Sequence, residues 1–420
     1  MRKTTPLVIM AGVRLQQDIH FEDAMEELRQ LAEACELQVG GSLTQQADKV
    51  NTSHYLGSGK LQELKAMREA ANADAVIIND ELTPSQLRNL ETALGIEVLD
   101  RTMLILNIFA RRARTREAQL QVETARLRYM LPRLTGMSES LGRQGGGSGL
   151  VNRGSGETKL ELDRRRVEER IAALQTELDR QVARRQLQRR RRHKNEWPVV
   201  CLVGYTNAGK STLMNAIVEH YHPDPDKKVL AKNMLFATLD TSVRRIDLPD
   251  RKSFLLTDTV GFVSRLPHHL VKAFRSTLEE VTEADLLIHV ADLSSPHMER
   301  QIEVTRQTLK ELGADRIPVV YAYNKADLAG VEHPAAAQDS VTLSAFRQQG
   351  IEELIGQIRE RVFTDYVRCE LLIPFDRGDI VSYFNEHADV REVEYEESGT
   401  RLKLECRAAD YAKYRELLQG

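Results

Sequence analysis

The chain has 420 residues, 41% hydrophobic and 29% charged, with 59 basic against 62 acidic side chains. At ~150 residues per domain, this length predicts about three cores, and the composition excludes collagen-like, disulfide-scaffold and wholly disordered classes. No run approaches the ~20 apolar residues of a membrane-spanning helix, and the first apolar stretch, Pro6 to Val13, is cut by Arg14 without a cleavage pattern. Four cysteines (Cys35, Cys201, Cys369, Cys406) lie far apart, with no CxxC pair and no histidine at metal-ligand spacing, which suits a reducing cytosol.

The net charge of -3 conceals an asymmetry. Residues 111–195 carry 22 basic and 10 acidic side chains, a balance of +12 that leaves -15 for the rest. A basic segment inside an acidic protein fits a polyanion partner such as nucleic acid; the plainer reading is a solvated helical face. Tyr129 is the obvious aromatic there for stacking a base, so recognition would rest mainly on phosphates.

Residues 1–101 read as a small α/β domain. Leu7 to Val13 is an apolar strand, Phe21 to Ala34 has helical spacing, and Ala75 to Asn79 is a second strand. A helix from Ser85 to Leu94 follows Thr83-Pro84 and ends at Gly95, before a strand over Ile96 to Leu99. Gly57-Ser58-Gly59-Lys60 lacks the full phosphate-loop spacing and reads as a loop and helix start. Residues 102–195 predict an antiparallel helical hairpin. One arm runs from Thr102 to a stop at Pro132, the other from Lys159 to His193 with Leu160, Val167, Ile171, Leu174, Leu178 and Val182 near a heptad seam. Between them residues 142–156 hold seven glycines with Arg143, Asn152 and Arg153. At 1.5 Å per residue each arm projects roughly 45–50 Å.

Residues 196–364 return to strand–helix alternation. Val199 to Val203 feeds into Gly204-Tyr205-Thr206-Asn207-Ala208-Gly209-Lys210-Ser211 and then an apolar-periodic helix. This is the full GxxxxGK[ST] spacing in its strand–loop–helix context. Glycines let the backbone approach phosphates, N–H groups and the helix N-terminus face the anion, Lys210 contacts β- and γ-phosphates, and Ser211 ligates Mg²⁺. Asp258-Thr259-Val260-Gly261 follows a strand over Ser253 to Thr257; the acid holds Mg²⁺ through water and the Gly261 amide reaches the γ-phosphate. A strand over Val319 to Tyr323 ends in Asn324-Lys325-Ala326-Asp327. A carboxylate at Asp327 can accept from guanine N1–H and the 2-amino group together, which adenine cannot offer. Asn324 would brace the loop, the Lys325 stem would lie along the base, and Leu343-Ser344-Ala345 would offer backbone N–H to guanine O6. Residues 365–420 read as a small acidic α+β module: strand Cys369 to Ile373, helix Gly378 to Glu386, strands Val390 to Tyr395 and Leu402 to Cys406, and a last helix from Ala408.

These motifs resemble a translation-factor-class P-loop GTPase, and the whole chain is similar to the HflX family of ribosome-associated GTPases. The marks most particular to that family are Gly145-Gly146-Gly147-Ser148-Gly149 with Asn152-Arg153-Gly154-Ser155-Gly156-Glu157-Thr158-Lys159-Leu160-Glu161, and Phe236-Ala237-Thr238-Leu239-Asp240. The resemblance implies a GTPase domain flanked by an N-terminal α/β domain, the long hairpin and a C-terminal α+β domain. It implies GTP as substrate with Mg²⁺, the metal held by Ser211 and Thr238, and catalytic parts in Lys210, Thr238 and Gly261; Thr241 competes with Thr238 for the switch role. It further implies binding to the large ribosomal subunit and its RNA near the peptidyl-transferase region and separation of stalled ribosomes under stress. Nothing in the sequence demands more than a monomer, and a cytoplasmic location with ribosome and peripheral membrane association is expected.

Phe262 stands where many GTPases carry a water-orienting glutamine, so intrinsic hydrolysis is expected to be slow and raised by a partner. His268 and His269, on helix-forming sequence, read as solvent-facing. Phosphate contacts are assigned to Arg143, Arg153, Arg184, Arg185 and Arg189 to Arg192. The competing reading is a GTP-gated protein that remodels or modifies non-ribosomal RNA, with its chemistry in the N-terminal domain.

Overall fold

The computed structural model describes residues 5–144, 153–193, 197–221, 235–236, 241–265, 267, 270, 280–330 and 336–419. The chain divides into two compact units, one of residues 1–191, 232–240 and 260–278, the other of residues 192–231, 241–259 and 279–420.

In the first unit, β1 (Leu7–Leu15), β2 (Gln38–Ala47), β3 (Ala75–Ile78) and β4 (Glu97–Asp100) form a parallel sheet in the order β2-β1-β3-β4. The central strands are apolar on both faces, as helix-covered parallel strands must be. The covering helices are α1 (Phe21–Ala34), α2 (Ser58–Ala71) and α3 (Pro84–Leu94). Thr83 caps α3: its hydroxyl accepts from Gln86 N while Gln86 Oε1 accepts from Thr83 N, Pro84 opens the first turn, and Gly95 closes it at φ +68°. The sequence missed β2, an edge strand whose residues are mostly polar or glycine and in which only Leu43 is buried. Gly57 to Lys60 does open α2, with Gly57 N bonded to Gln45 Oε1 and Lys60 paired with Glu63 at 2.8 Å.

Two predictions for the hairpin are corrected. Its first arm is two helices, α4 (Arg101–Arg112) and α5 (Arg116–Gln144), separated at residues 113–115. Pro132 lies inside α5 and does not stop it. A proline forfeits one helical bond, to the carbonyl four residues back. The turn around it is held from outside by Tyr129 and Arg133, which bind the α3–β4 region. Tyr129 is 5% exposed and donates its hydroxyl to Asp100, so it is no base-stacking residue. The second arm, α6 (Arg153–His193), runs antiparallel to α5. Arg116 meets Glu177 through two bonds of 2.8 and 2.9 Å, Arg170 meets Glu123 at 2.8 Å, and Leu120, Leu174 and Leu178 form a small core with Leu127. Of the expected seam only Leu174 and Leu178 are fully buried; Val167, Ile171 and Val182 are half-covered, and Leu160 lies outside the described side chains. The same holds for the arginines assigned to phosphate contact.

The second unit carries a seven-stranded sheet in the order β10-β11-β9-β8-β5-β7-β6. Its strands are β5 (Val199–Val203), β6 (Ser242–Asp247), β7 (Ser253–Asp258), β8 (Leu286–Asp292), β9 (Val319–Asn324), β10 (Ala336–Ala337) and β11 (Ser340–Thr342). All neighbours are parallel except β6 with β7 and β10 with β11. The chain runs from β5 outward to β6 and β7, then returns to β8 on the other side of β5. That reversal opens a crevice at the carboxyl ends of β5 and β8, where ligands of doubly wound sheets bind. The helices α7 (Lys210–Tyr221), α8 (Met298–Leu312) and α9 (Ile351–Val362) belong to this sheet. A separate antiparallel sheet, β12 (Tyr366–Ile373), β14 (Gly399–Arg407) and β13 (Asp389–Glu396) in that order, packs its apolar face on α10 (Gly378–His387) and α11 (Ala408–Gln419). Among the described residues, no helix is long and apolar enough to cross a membrane.

Candidate functional site

The loop leaving β5 is shaped by two glycines in backbone conformations closed to other residues. Gly204 sits at φ +145°, and a Cβ there would lie 2.2 Å from the Val290 carbonyl oxygen. Gly209 sits at φ +96°, and its Cβ would lie 2.2 Å from Asn324 Nδ2. Lys210 folds back over this loop and donates to the carbonyls of Gly204 at 3.0 Å and Tyr205 at 2.8 Å. The ammonium is buried, and burial pushes its pKa down to about 8, partly offset by the Asp258 carboxylate. His289 on β8 is pushed down to about 4, first by burial and then by that same ammonium.

Nucleotide phosphates favour the lysine as ammonium, whereas the protein alone releases that proton above about pH 8. Binding therefore takes up a proton in alkaline solution, so affinity falls as pH rises through 8, by roughly tenfold per unit, and is flat with respect to this group below it. Titrating a fluorescent guanine nucleotide from pH 7 to 9.5 checks this; an affinity without a break near 8 would contradict it.

Ser211 donates its hydroxyl to Asp258 Oδ2 at 2.6 Å. Two oxygen donors in contact beside the phosphate loop fit a small hard cation such as Mg²⁺, which prefers oxygen and takes few protein ligands. Thr238, the other expected metal ligand, and with it Ala237, Leu239 and Asp240, lie outside the described residues. Phe236 is described: it is buried in the first unit, and its ring meets Phe109 edge-on at 4.7 Å. Thr259 donates its hydroxyl to the Leu202 carbonyl on β5 at 2.7 Å. Val260, Gly261 and Phe262 belong to the first unit and are buried there, Phe262 at 1% exposure. His268 and His269 lie outside the described residues.

Asn324 ties the two halves of the crevice together. Its Nδ2 donates to the Ala208 carbonyl at 2.9 Å, and its Oδ1 accepts from Ala345 N at 2.9 Å. Ser344 Oγ donates to Asp327 Oδ1 at 2.6 Å, which aims a half-buried carboxylate. Lys325, at φ +65°, pairs with Asp292 at 2.7 Å. Ala326 is buried beneath them and bonds through N to the Leu343 carbonyl at 3.1 Å. The N–H groups of Leu343, Ser344 and Ala345 already donate to Tyr323 O, Gln349 O and Asn324 Oδ1. A bond from any of them to a base oxygen would be shared. Sequence reasoning missed Asp292 and His289, whose only signal was their place at or near the end of an apolar strand.

The chain is similar to known proteins along most of its length. Family models match along the chain: "GTP-binding GTPase N-terminal" over residues 22–110 and "GTP-binding GTPase Middle Region" over 112–192. "50S ribosome-binding GTPase" matches 199–325 and "HflX C-terminal domain" 329–416. The GTPase HflX of Caldanaerobacter subterraneus subsp. tengcongensis is 46% identical over 384 residues, covering 91% of this chain and 87% of that protein. The GTPase HflX of Escherichia coli is 38% identical over 398 residues, covering 93% and 91%. Among solved structures, a GTP-binding protein of Sulfolobus solfataricus in complex with GDP matches with a TM-score of 0.42 at 25% identity, over 84% of this chain and 97% of that one.

Proposed function

This chain belongs to the HflX family of GTPases, a ribosome-associated family, and on that premise we propose a GTP-driven switch that engages the large ribosomal subunit through the α5–α6 hairpin. Its outcome is the dissociation or rescue of stalled ribosomes under stress, carried out as a monomer. The observation that carries the nucleotide half is the Asn324 bridge between Ala208 and Ala345, because it makes phosphate binding and base recognition one rigid unit. What supports the RNA half is the surplus of positive charge over residues 111–195, most of which lie on the paired helices α5 and α6.

In this reading the loop from Gly204 to Ser211 wraps the phosphates, and Lys210 exchanges its two carbonyl partners for phosphate oxygens. Asp327 accepts from the guanine edge, and Ser211 with Thr238 holds the metal, Asp258 acting behind them. Bound Mg²⁺ would neutralise charge on the phosphates. Gly261 presents its amide at the γ-phosphate, and Phe262, a buried hydrocarbon, offers nothing to the attacking water. The alternative, an RNA-modifying activity in the N-terminal domain, gains no observation: Gly57 to Lys60 opens α2, with Lys60 beside Glu63 and Gly57 N bonded to Gln45.

The test is GTP hydrolysis by the pure protein, alone and with large ribosomal subunits, with Lys210→Ala as control. Slow turnover alone, rising about a hundredfold or more with subunits, is expected, since an ordered water-orienting group is worth that much. Turnover indifferent to subunits would remove the ribosome as activator.

A further inference from the structure

The first unit contains a buried polar network that neither nucleotide binding nor RNA contact uses. It centres on two adjacent residues, Asp100 at the end of β4 and Arg101 at the start of α4, which are 1% and 2% exposed. Arg101 reaches Ser264, three residues after Gly261: Nη2 lies 3.1 Å from the Ser264 carbonyl oxygen and 3.4 Å from its hydroxyl. The same nitrogen is 3.1 Å from Glu27 Oε2, and Nη1 donates to Asn79 Oδ1 at 3.2 Å. Glu27 completes the grip, accepting from Ser264 N at 3.2 Å and from its hydroxyl. Next along the chain, Arg265 sits at φ +54° and pairs with Asp80 at 2.9 Å and with Asp18.

Asp100 faces the other way, toward the base of the hairpin. Its carboxylate accepts from the Tyr129 hydroxyl and from Arg133 Nη2 at 3.1 Å, both on α5. It also accepts from Leu82 N at 3.1 Å and caps α4 through Met103 N at 2.9 Å. Arg133 stacks on the Tyr129 ring, 3.4 Å from its centroid, and donates to the Leu82 carbonyl at 3.0 Å.

We propose that the Asp100–Arg101 junction is a positioning element that couples the segment following Gly261 to the base of the hairpin. The two side chains hang on neighbouring residues joined by one planar peptide unit, so the group that holds Ser264 and the group that holds Tyr129 are immediate covalent neighbours. Buried charges tolerate few arrangements, because each unmade bond is expensive. The network therefore favours a few discrete arrangements over smooth deformation. Reciprocity follows: a nucleotide that repositions the segment changes the order of α5 near Tyr129, and a load on the hairpin changes the segment. Arg101 touches no reacting atom; it acts through Ser264. The inference deepens the proposed function, since it names how a hairpin held by RNA reaches the γ-phosphate sensor.

The experiment is hydrogen exchange over residues 119–133 in the whole protein, with GDP and with a non-hydrolysable GTP analogue. Wild type should show different protection in the two states. Tyr129→Phe removes one hydroxyl, and Arg101→Met combined with Glu27→Gln removes both charges while keeping an acceptor for Ser264 N. Each should shrink that difference roughly threefold or more, whereas a merely structural role would lower protection equally in both states. No difference in wild type, or one that persists in the variants, overturns the proposal. Should the double variant fail to fold by its melting curve, Tyr129→Phe decides alone. Turnover with large subunits separates this idea from the reading beneath it. Stimulation of wild type that the variants retain in full sinks the coupling and spares the ribosome. A wild type that subunits do not stimulate sinks the ribosomal reading, while exchange still judges the junction.

Discussion

Asp327→Asn is expected to turn the protein from guanine to xanthine nucleotides. Guanine presents two donors along one edge, N1–H and the 2-amino group, and a carboxylate accepts both. Asparagine has one acceptor and one donor, so its amide hydrogens meet the 2-amino hydrogens. Xanthine replaces that amino group with a carbonyl and restores the match. The carboxylate is aimed in advance by Ser344 Oγ, 2.6 Å from Oδ1, and braced on either side by Asn324 and the Lys325–Asp292 pair. Asparagine can keep the serine bond through its own oxygen, so the substitution alters recognition and leaves the loop in place. A site built to pair with donors and then denied them loses roughly a thousandfold or more in affinity. Competition between GDP and XDP on wild type and variant, with melting curves as a check on folding, measures it. Unchanged preference for GDP would remove Asp327 from base recognition.

The parts of the site that were legible share one property: each is encoded within eight consecutive residues. A phosphate loop needs its glycines, lysine and hydroxyl at fixed spacing because the backbone itself forms the cradle, and Gly204 to Ser211 declares it. Asn324 to Asp327, the proposed base loop, is spaced in the same way, and its Asn324 amide bridges Ala208 and Ala345. What sequence could not supply is whatever one segment does for a distant one. Arg101 and Ser264 are 163 residues apart, and neither stands in a motif. Asp292 fixes Lys325 from 33 residues away. Tyr129 looked like a base-stacking residue because its helix is basic, but its partner is a buried carboxylate 29 residues earlier.

The fold shows the same division. Strands β1, β3 and β4 and the helices α1 and α3 announce themselves by period and caps. Strand β2 does not, because at a sheet edge only one of its side chains is fully buried and pairing with β1 supplies the rest. A local rule predicts a helix stop at Pro132. In the protein the neighbouring turn is fastened to Asp100 and Leu82 by tertiary bonds that outweigh one lost helical hydrogen bond.

Gly209→Ala should be as damaging to nucleotide binding as loss of Lys210, although it removes no functional group. The backbone at Gly209 has φ +96°, which strains any L side chain, and the new methyl would lie 2.2 Å from Asn324 Nδ2. Asn324 is 2% exposed and cannot step aside without giving up both of its bonds, to Ala208 and to Ala345. Each abandoned buried bond costs about 1–3 kcal/mol, so the expected loss is roughly a thousandfold in affinity for GTP and GDP alike. A double-mutant cycle locates the cause. If the clash with Asn324 is the mechanism, shortening that residue makes room, and Gly209→Ala with Asn324→Ala together should weaken binding far less than the sum of the two single changes. Strict additivity would mean that the cost lies in backbone strain at φ +96° or in direct obstruction of the phosphates, with the contact to Asn324 contributing nothing to it.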